Sequence, residues 1–222
     1  EEDAAACTEI GRLGHELLRT AITIGTHCNA GRLATAGNGT ALAPMYAKAE
    51  AGEPLRVLAS ETRPLLQGAR LTAWELDDAG IDVTVLPDAA MASTVLSGKV
   101  DAYIVGADRI AANGDTANKI GTVAHALAAR EAGIPFYVAA PTSTIDAALP
   151  SGNHIEIEER DASEVHEIQG KRVTPEGVAV ANPAFDVTPQ NLITAIITEV
   201  GVLRAPFQAS IADALLRAGA SQ

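Results

Sequence analysis

The sequence predicts an α/β fold built on a mainly parallel sheet, and three observations carry that expectation. Short β-branched apolar runs alternate with helical patterns of roughly 10–15 residues, the arrangement of successive βαβ units. Several runs are apolar throughout, as strands are when helices cover both faces of their sheet. Glycines close the helical patterns at Gly80, Gly98 and Gly133, each just ahead of the next apolar run.

Taken in order, Ile10, Leu13, Leu17 and Leu18 fall at helical spacing, so residues 2–20 form a leading amphipathic helix. A first strand is expected at 21–25 and a helix at 41–51, with the glycine-rich turn 26–40 between them. A second strand follows at 56–60. Pro64 then opens a helix over 65–79, with Leu71 and Trp74 assigned to its buried side. Strands follow at 83–86 and 102–105. A helix over 118–132 carries Asn118 and Lys119 in its first turn, and a fifth strand occupies 135–139. Residues 150–177 are polar and turn-rich, an excursion with a short capped helix at 161–165. A sixth strand is expected at 178–181. Thr188 then caps, and Pro189 opens, a helix over 190–199, and a last helix spans 208–218. The outcome is a doubly wound, Rossmann-like sheet of six to seven strands with helices on both faces. Residues 1–20 form its leading helix and residues 21–222 the domain itself.

Composition narrows the function. The chain has 222 residues, 47% apolar and only 3% aromatic, and a net charge of −12. Binding a nucleic-acid backbone needs a basic face, so no nucleic-acid partner is expected. A small anionic substrate stays open, because a few placed cations and helix N-termini suffice for it. Two cysteines make no disulfide framework, and the five histidines are scattered, so no metal is expected. No apolar run reaches the roughly 20 residues of a membrane span, and the acidic start does not read as a signal peptide. The expectation is a cytoplasmic protein with no membrane partner.

In an open α/β sheet, ligands bind outside the carboxyl ends of the strands. Cys28 stands there, after the first strand and inside Thr26-His-Cys-Asn-Ala-Gly31. A cysteine is most often a buried structural group, and Cys7 keeps that reading. Backbone N–H groups at a turn lower a thiol's pKa, which favours reactivity at Cys28. Asp108 ends the apolar run 104–107 and is either a cap for the next loop or an acid whose pKa burial has raised. Arg109 beside it reads as solvated. Lys119, placed at a helix start against the helix dipole, points to a bound anion. Arg63 either holds a phosphate or pairs with Glu61, and Gln67, one turn on, points the same way. Gly37-Asn-Gly39 is a weak phosphate-approach signal, without the lysine of a P-loop. His27, His125, His154 and His166 show no partner pattern and receive no role.

Four ordered motifs together resemble one family: Thr-His-Cys28-Asn-Ala-Gly, Glu-Thr-Arg63-Pro-Leu-Leu-Gln67-Gly-Ala-Arg, Gly-Ala-Asp108-Arg with the following Thr-Ala-Asn118-Lys119-Ile-Gly, and Asn182-Pro-Ala-Phe-Asp186-Val-Thr-Pro. They are similar to those of the methylthioribose-1-phosphate isomerases of methionine salvage. That family is related to ribose-1,5-bisphosphate isomerases and to regulatory subunits of the initiation factor 2B alpha, beta and delta type. The resemblance covers residues 20–205, the catalytic domain. It implies a catalytic pair, Cys28 and Asp108, and substrate contacts from Gln67, Asn118 and Lys119. The implied reaction is aldose–ketose isomerisation of a phosphorylated sugar, without metal or organic cofactor. It also implies a homodimer, and an N-terminal domain with an Arg-Gly-Ala motif and another phosphate-contacting arginine, which this chain lacks. The expectation is therefore weak turnover by this chain alone, because remote binding groups normally contribute to lowering the barrier. A regulatory or assembly subunit is the non-enzymatic alternative.

Overall fold

The computed structural model describes residues 2–220. The elements run α1 Glu2–Leu18, β1 Thr23–Thr26, α2 Ala43–Glu50, β2 Arg56–Ser60, α3 Ala73–Asp78, β3 Asp82–Leu86, α4 Asp88–Leu96, β4 Ala102–Val105, β5 Arg109–Ala111, β6 Thr116–Lys119, α5 Thr122–Ala132, β7 Phe136–Ala139, β8 Ile145–Asp146, α6 Ser163–His166, β9 Glu167–Ile168, β10 Lys171–Arg172, β11 Phe185–Thr188, β12 Ala195–Thr198, β13 Gly201–Leu203 and α7 Phe207–Ala220.

Seven strands form the main sheet in the order β3-β2-β1-β4-β7-β12-β13. All neighbours are parallel except β13, which turns back antiparallel on β12. The chain first winds outward from β1 to β3, then crosses back to β4 and winds the other way. The order therefore reverses between β1 and β4, where Ile24 and Gly25 pair with Ala102 and Tyr103.

Side-chain alternation splits the core between two faces. Ile24, Val57, Ala102, Ile104 and Ile197 meet Ile10 and Leu18 of α1, Leu42 and Met45 around the start of α2, and Leu76 of α3. On the other face Leu58, Tyr103, Val105, Val138 and Ile196 meet Met91 of α4, Ala126 and Ala129 of α5, and Phe207 and Ile211 of α7. This is the doubly wound arrangement that the sequence predicts.

Several elements differ from expectation. The segment 178–181 forms no strand, and Val178 is exposed. The sixth main-sheet strand is instead β12, inside the expected helix 190–199, of which only a 3-10 turn at Gln190–Leu192 remains. Thr188 lies in β11 and makes no side-chain cap. Pro64 follows a cis peptide bond and opens no helix. The helix starts with a π turn at Gly68–Thr72 that runs into α3. Trp74 is 58% exposed, not core.

A second sheet, β11-β6-β5-β8, sits beyond the carboxyl end of β4. Its strands are short and polar, so they lack the apolar signal that marks the main sheet. Asn118 and Lys119 belong to β6, not to the first turn of α5. The excursion 150–177 holds α6, started by the Asp161 carboxylate accepting the Ser163 N–H, and the small β9–β10 hairpin.

Candidate functional site

A cavity of about 330 Å³ opens at the reversal of strand order. Cys28 and Asn29 reach it from the end of β1, Asp108 from the end of β4, and Asn118 and Lys119 from β6. Thr35 and Thr40 of the glycine-rich turn complete one wall, with Pro141 and Thr144 beyond β7 opposite. The structure thus brings together four of the five side chains singled out in the sequence. Gln67 stands apart from this lining, with its Oε1 buried and unpartnered among the described residues. Glu61 and Arg63 are not in the lining either. The Arg63 guanidinium donates to the Pro64 and Val165 carbonyls, 2.9 and 3.3 Å away.

Cys28 adopts a left-handed backbone, φ 61°, a conformation that costs a non-glycine residue of order 1–3 kcal/mol. Its thiol does not follow the expectation of a lowered pKa. Burial pushes it up to about 11, against smaller downward pulls from the Asn29 N–H and Lys119. The group is therefore a neutral thiol near pH 7.

Asp108 is held up from the usual carboxylate range by burial, partly offset by the Lys119 charge. Its side chain caps nothing among the described residues. Only its backbone N–H is engaged, donating to the Ala117 carbonyl at 2.9 Å. The cap reading is thus not met among the described residues. Arg109 is not simply solvated: its Nη1 lies 3.3 Å from Asp146.

Lys119 is 9% exposed, with its Nζ 4.5 Å above the Phe185 ring. It forms no ion pair among the described residues. A buried ammonium that faces a ring, with Asp108 near enough to feel its charge, is suited to an anionic ligand. This replaces the helix-dipole reasoning, which fails because Lys119 is on a strand. Asn118 donates to the Thr122 hydroxyl at 3.0 Å, and that hydroxyl donates to the Lys119 carbonyl at 2.6 Å. The Asp186 carboxylate accepts from the Gly121 and Val123 N–H groups at 2.7 and 3.1 Å, fixing the turn that follows Lys119. Burial raises Asp186 to about 6.

Sequence reasoning missed two supports. Glu75, 2% exposed, accepts from the Asn29 amide at 2.5 Å, the Arg32 N–H at 2.7 Å and the Tyr46 hydroxyl at 2.7 Å. It ties down the turn that carries the thiol. Gly31 is glycine because a Cβ there would overlap that carboxylate. His27 and His125 meet edge to face, with ring centroids 4.8 Å apart. His27 Nε2 bonds the Ile120 carbonyl at 2.8 Å, linking the end of β1 to the Lys119 strand. Burial holds both imidazoles down, His125 to about 3. No sequence pattern predicts contacts that span such separations.

No group of histidine, cysteine and carboxylate side chains suited to a metal ion occurs among the described residues, and no described helix is long and apolar enough to cross a membrane.

Comparison with known proteins agrees with this architecture. The chain is 60% identical over 206 residues to a methylthioribose-1-phosphate isomerase of Exiguobacterium sibiricum, covering 93% of this chain and 59% of the relative. It is 58% identical over 215 residues to a 5-deoxyribose 1-phosphate isomerase of Moorella thermoacetica, covering 97% and 61%. Among solved structures, 5-methylthioribose 1-phosphate isomerase from Pyrococcus horikoshii superposes with a TM-score of 0.94 at 48% identity, over 97% of this chain and 60% of that one. Translation initiation factor eIF-2B, subunit delta, from A. fulgidus gives 0.93 at 44%, over 97% and 63%. The chain spans about three fifths of the length of the curated relatives it matches. Residues 1–205 match the initiation factor 2 subunit family, and the chain belongs to that family.

Proposed function

We propose that the cavity isomerises a pentose 1-phosphate from aldose to ketose, with 5-methylthioribose 1-phosphate as its substrate and 5-methylthioribulose 1-phosphate as its product. The observation that carries this reading is the meeting of Cys28, Asp108 and Lys119 around one cavity where the strand order reverses. The isomerase names of the two relatives support it.

The chemistry sets the roles. In a furanose 1-phosphate the anomeric oxygen is esterified, so the ring cannot open as a hemiacetal does. Opening requires the C1–O4 bond to break while O4 gains a proton. A carboxyl held above its usual range is suited to supply that proton, and this role falls to Asp108. The hydrogen on C2 then passes to C1, and the 2-hydroxyl proton leaves as C2 becomes a carbonyl. Asp108, now a carboxylate, is the base at hand for that proton. Every atom is conserved, and no oxidant enters. Cys28 places a neutral, polarisable sulfur beside the positive charge that develops at C1. Lys119 holds the phosphate and Asn118 fixes the strand that presents it.

Lys119 is the one cationic side chain in the described lining. Among these residues it supplies charge for one phosphate, and the names of the relatives point to a monophosphate substrate. A 5-deoxyribose 1-phosphate meets the same requirement, so the two monophosphates differ only in what fills the space beyond C5.

The test is turnover of methylthioribose 1-phosphate, 5-deoxyribose 1-phosphate and ribose 1,5-bisphosphate, each followed by appearance of the ketose. The monophosphates are expected to be preferred. Cys28→Ser and Asp108→Asn are each expected to lower kcat by about 10²–10⁴-fold. Unchanged rates in both variants would overturn the assignment.

A further inference from the structure

The peptide unit of Cys28 is gripped from both sides by hydroxyl groups that the isomerase reading does not use. Its N–H donates to Thr62 Oγ1 at 2.9 Å, and its carbonyl accepts from Thr72 Oγ1 at 2.6 Å. Both threonines are fully buried. They come from different places, Thr62 from the loop after β2 and Thr72 from the last position of the π turn.

Each threonine is itself anchored. The Thr62 hydroxyl donates to the Ser60 carbonyl at 3.0 Å, while the Thr62 and Arg63 N–H groups both donate to the Asp88 carboxylate at 2.7 Å. Thr62 also has a left-handed backbone, φ 67°, as Cys28 does. The Thr72 hydroxyl, besides donating to Cys28, accepts from the Asn29 amide at 3.1 Å, and Glu75 takes that amide from the other side. Two strained residues that hold each other through one hydrogen bond, each over-determined by further bonds, are what a site built to present one side chain requires.

We propose that Thr62 and Thr72 are positioning residues that clamp the Cys28 peptide in its left-handed conformation and so hold the thiol buried at the cavity wall. Neither touches the cavity; both act through Cys28. The inference rests on the isomerase reading for its catalytic meaning, but the clamp itself is a property of the thiol and is measured without substrate.

Thr→Val keeps the shape and removes the hydroxyl, and Thr→Ser keeps the hydroxyl. The probe is iodoacetamide, with Cys28 alkylation followed by mass spectrometry across pH so that Cys7 does not interfere. In T62V and T72V the released thiol is expected to react at least tenfold faster at pH 8, its apparent pKa falling from about 11 toward the ordinary thiol value. T62S and T72S are expected to restore the slow reaction. Turnover of methylthioribose 1-phosphate in the valine variants is expected to lose about 10–100-fold in kcat with KM changed less than threefold, as geometric misplacement produces. Amide hydrogen exchange on the unaltered protein needs no variant to fold: the Cys28 N–H is expected among the slowly exchanging amides. Wild-type alkylation profiles in both valine variants, or a Cys28 amide that exchanges as fast as an open loop, would overturn the clamp. Shifted alkylation in a protein that isomerises none of the three sugar phosphates supports the clamp and removes only the catalytic reading.

Discussion

Cys28 is neutral and Lys119 makes no ion pair among the described residues, and these two facts decide what single residues should do. Replacing Lys119 with methionine removes the one cationic side chain in the described lining while keeping its length over Phe185. KM should rise about 10²-fold in steady-state assays while kcat falls less, because hydrogen bonds to charged groups contribute ~1.5–3 kcal/mol. In the proposed reaction Asp108 must be protonated to act on O4. Activity should therefore decline as pH rises through its raised pKa, and Asp108→Glu should shift that limb of the pH profile. The histidines were illegible for a physical reason: His27 and His125 are 98 positions apart, and only the folded sheet makes them neighbours. Their effect is on stability. The His125 pKa is depressed to about 3 when folded, whereas the unfolded group titrates near 6.5. The unfolded state thus takes up the proton first, so the stability present above pH 6.5 is lost as pH falls toward 3. The slope is about 1.4 kcal/mol per pH unit for that group. Urea unfolding of His125→Gln at pH 7, 6 and 5 should show a shallower acid loss than the unaltered protein.

Among elements, the π turn at Gly68–Thr72 matters most. It ends on Thr72, whose hydroxyl donates to the Cys28 carbonyl, and leads into α3, whose Glu75 accepts from the Asn29 amide. It packs so closely under β2 that a Cβ on Gly68 would overlap the Ser60 carbonyl. Gly68→Ala should therefore cost about 3 kcal/mol in denaturant unfolding and raise Cys28 reactivity with it. A Tm and alkylation rate equal to wild type would refute that close approach. The sequence pattern predicts a helix here, but not its π start, because Gly-Ala-Arg-Leu-Thr suits either geometry. The misread strand has a similar cause. Leu-Ile-Thr-Ala-Ile-Ile places apolar residues at both helical and extended spacing, and a short apolar run does not distinguish them. Pairing with β7 on one side and β13 on the other makes it a strand. Trp74 misled because large aromatics are usually taken inward, while here the inward positions of α3 belong to Glu75 and Leu76.

At the scale of the whole molecule, the reversal of strand order makes the crevice, and a ligand that fills it should stabilise the fold. With methylthioribose 1-phosphate at about 100 times its Kd, the linkage is ~2.7 kcal/mol. For a chain of this size that is a rise in Tm of roughly 5–10 °C, and Lys119→Met should show little of it. The main sheet was legible because its strands are apolar on both faces, and Cys28 and Asp108 could be placed at its carboxyl edge for the same reason. The second sheet was not legible, and with it went the true setting of Asn118 and Lys119. That setting divides the cavity by chain distance. Asp108 bonds Ala117 across the β5–β6 hairpin, so the carboxyl and the ammonium share a stretch of a dozen residues, while the ring beside the ammonium comes from β11. The thiol arrives from 80 positions away, through the parallel sheet. The cavity is therefore assembled from three separate parts of the chain, with the thiol after β1, Asp108 and Lys119 around the β5–β6 hairpin, and the Phe185 ring on β11.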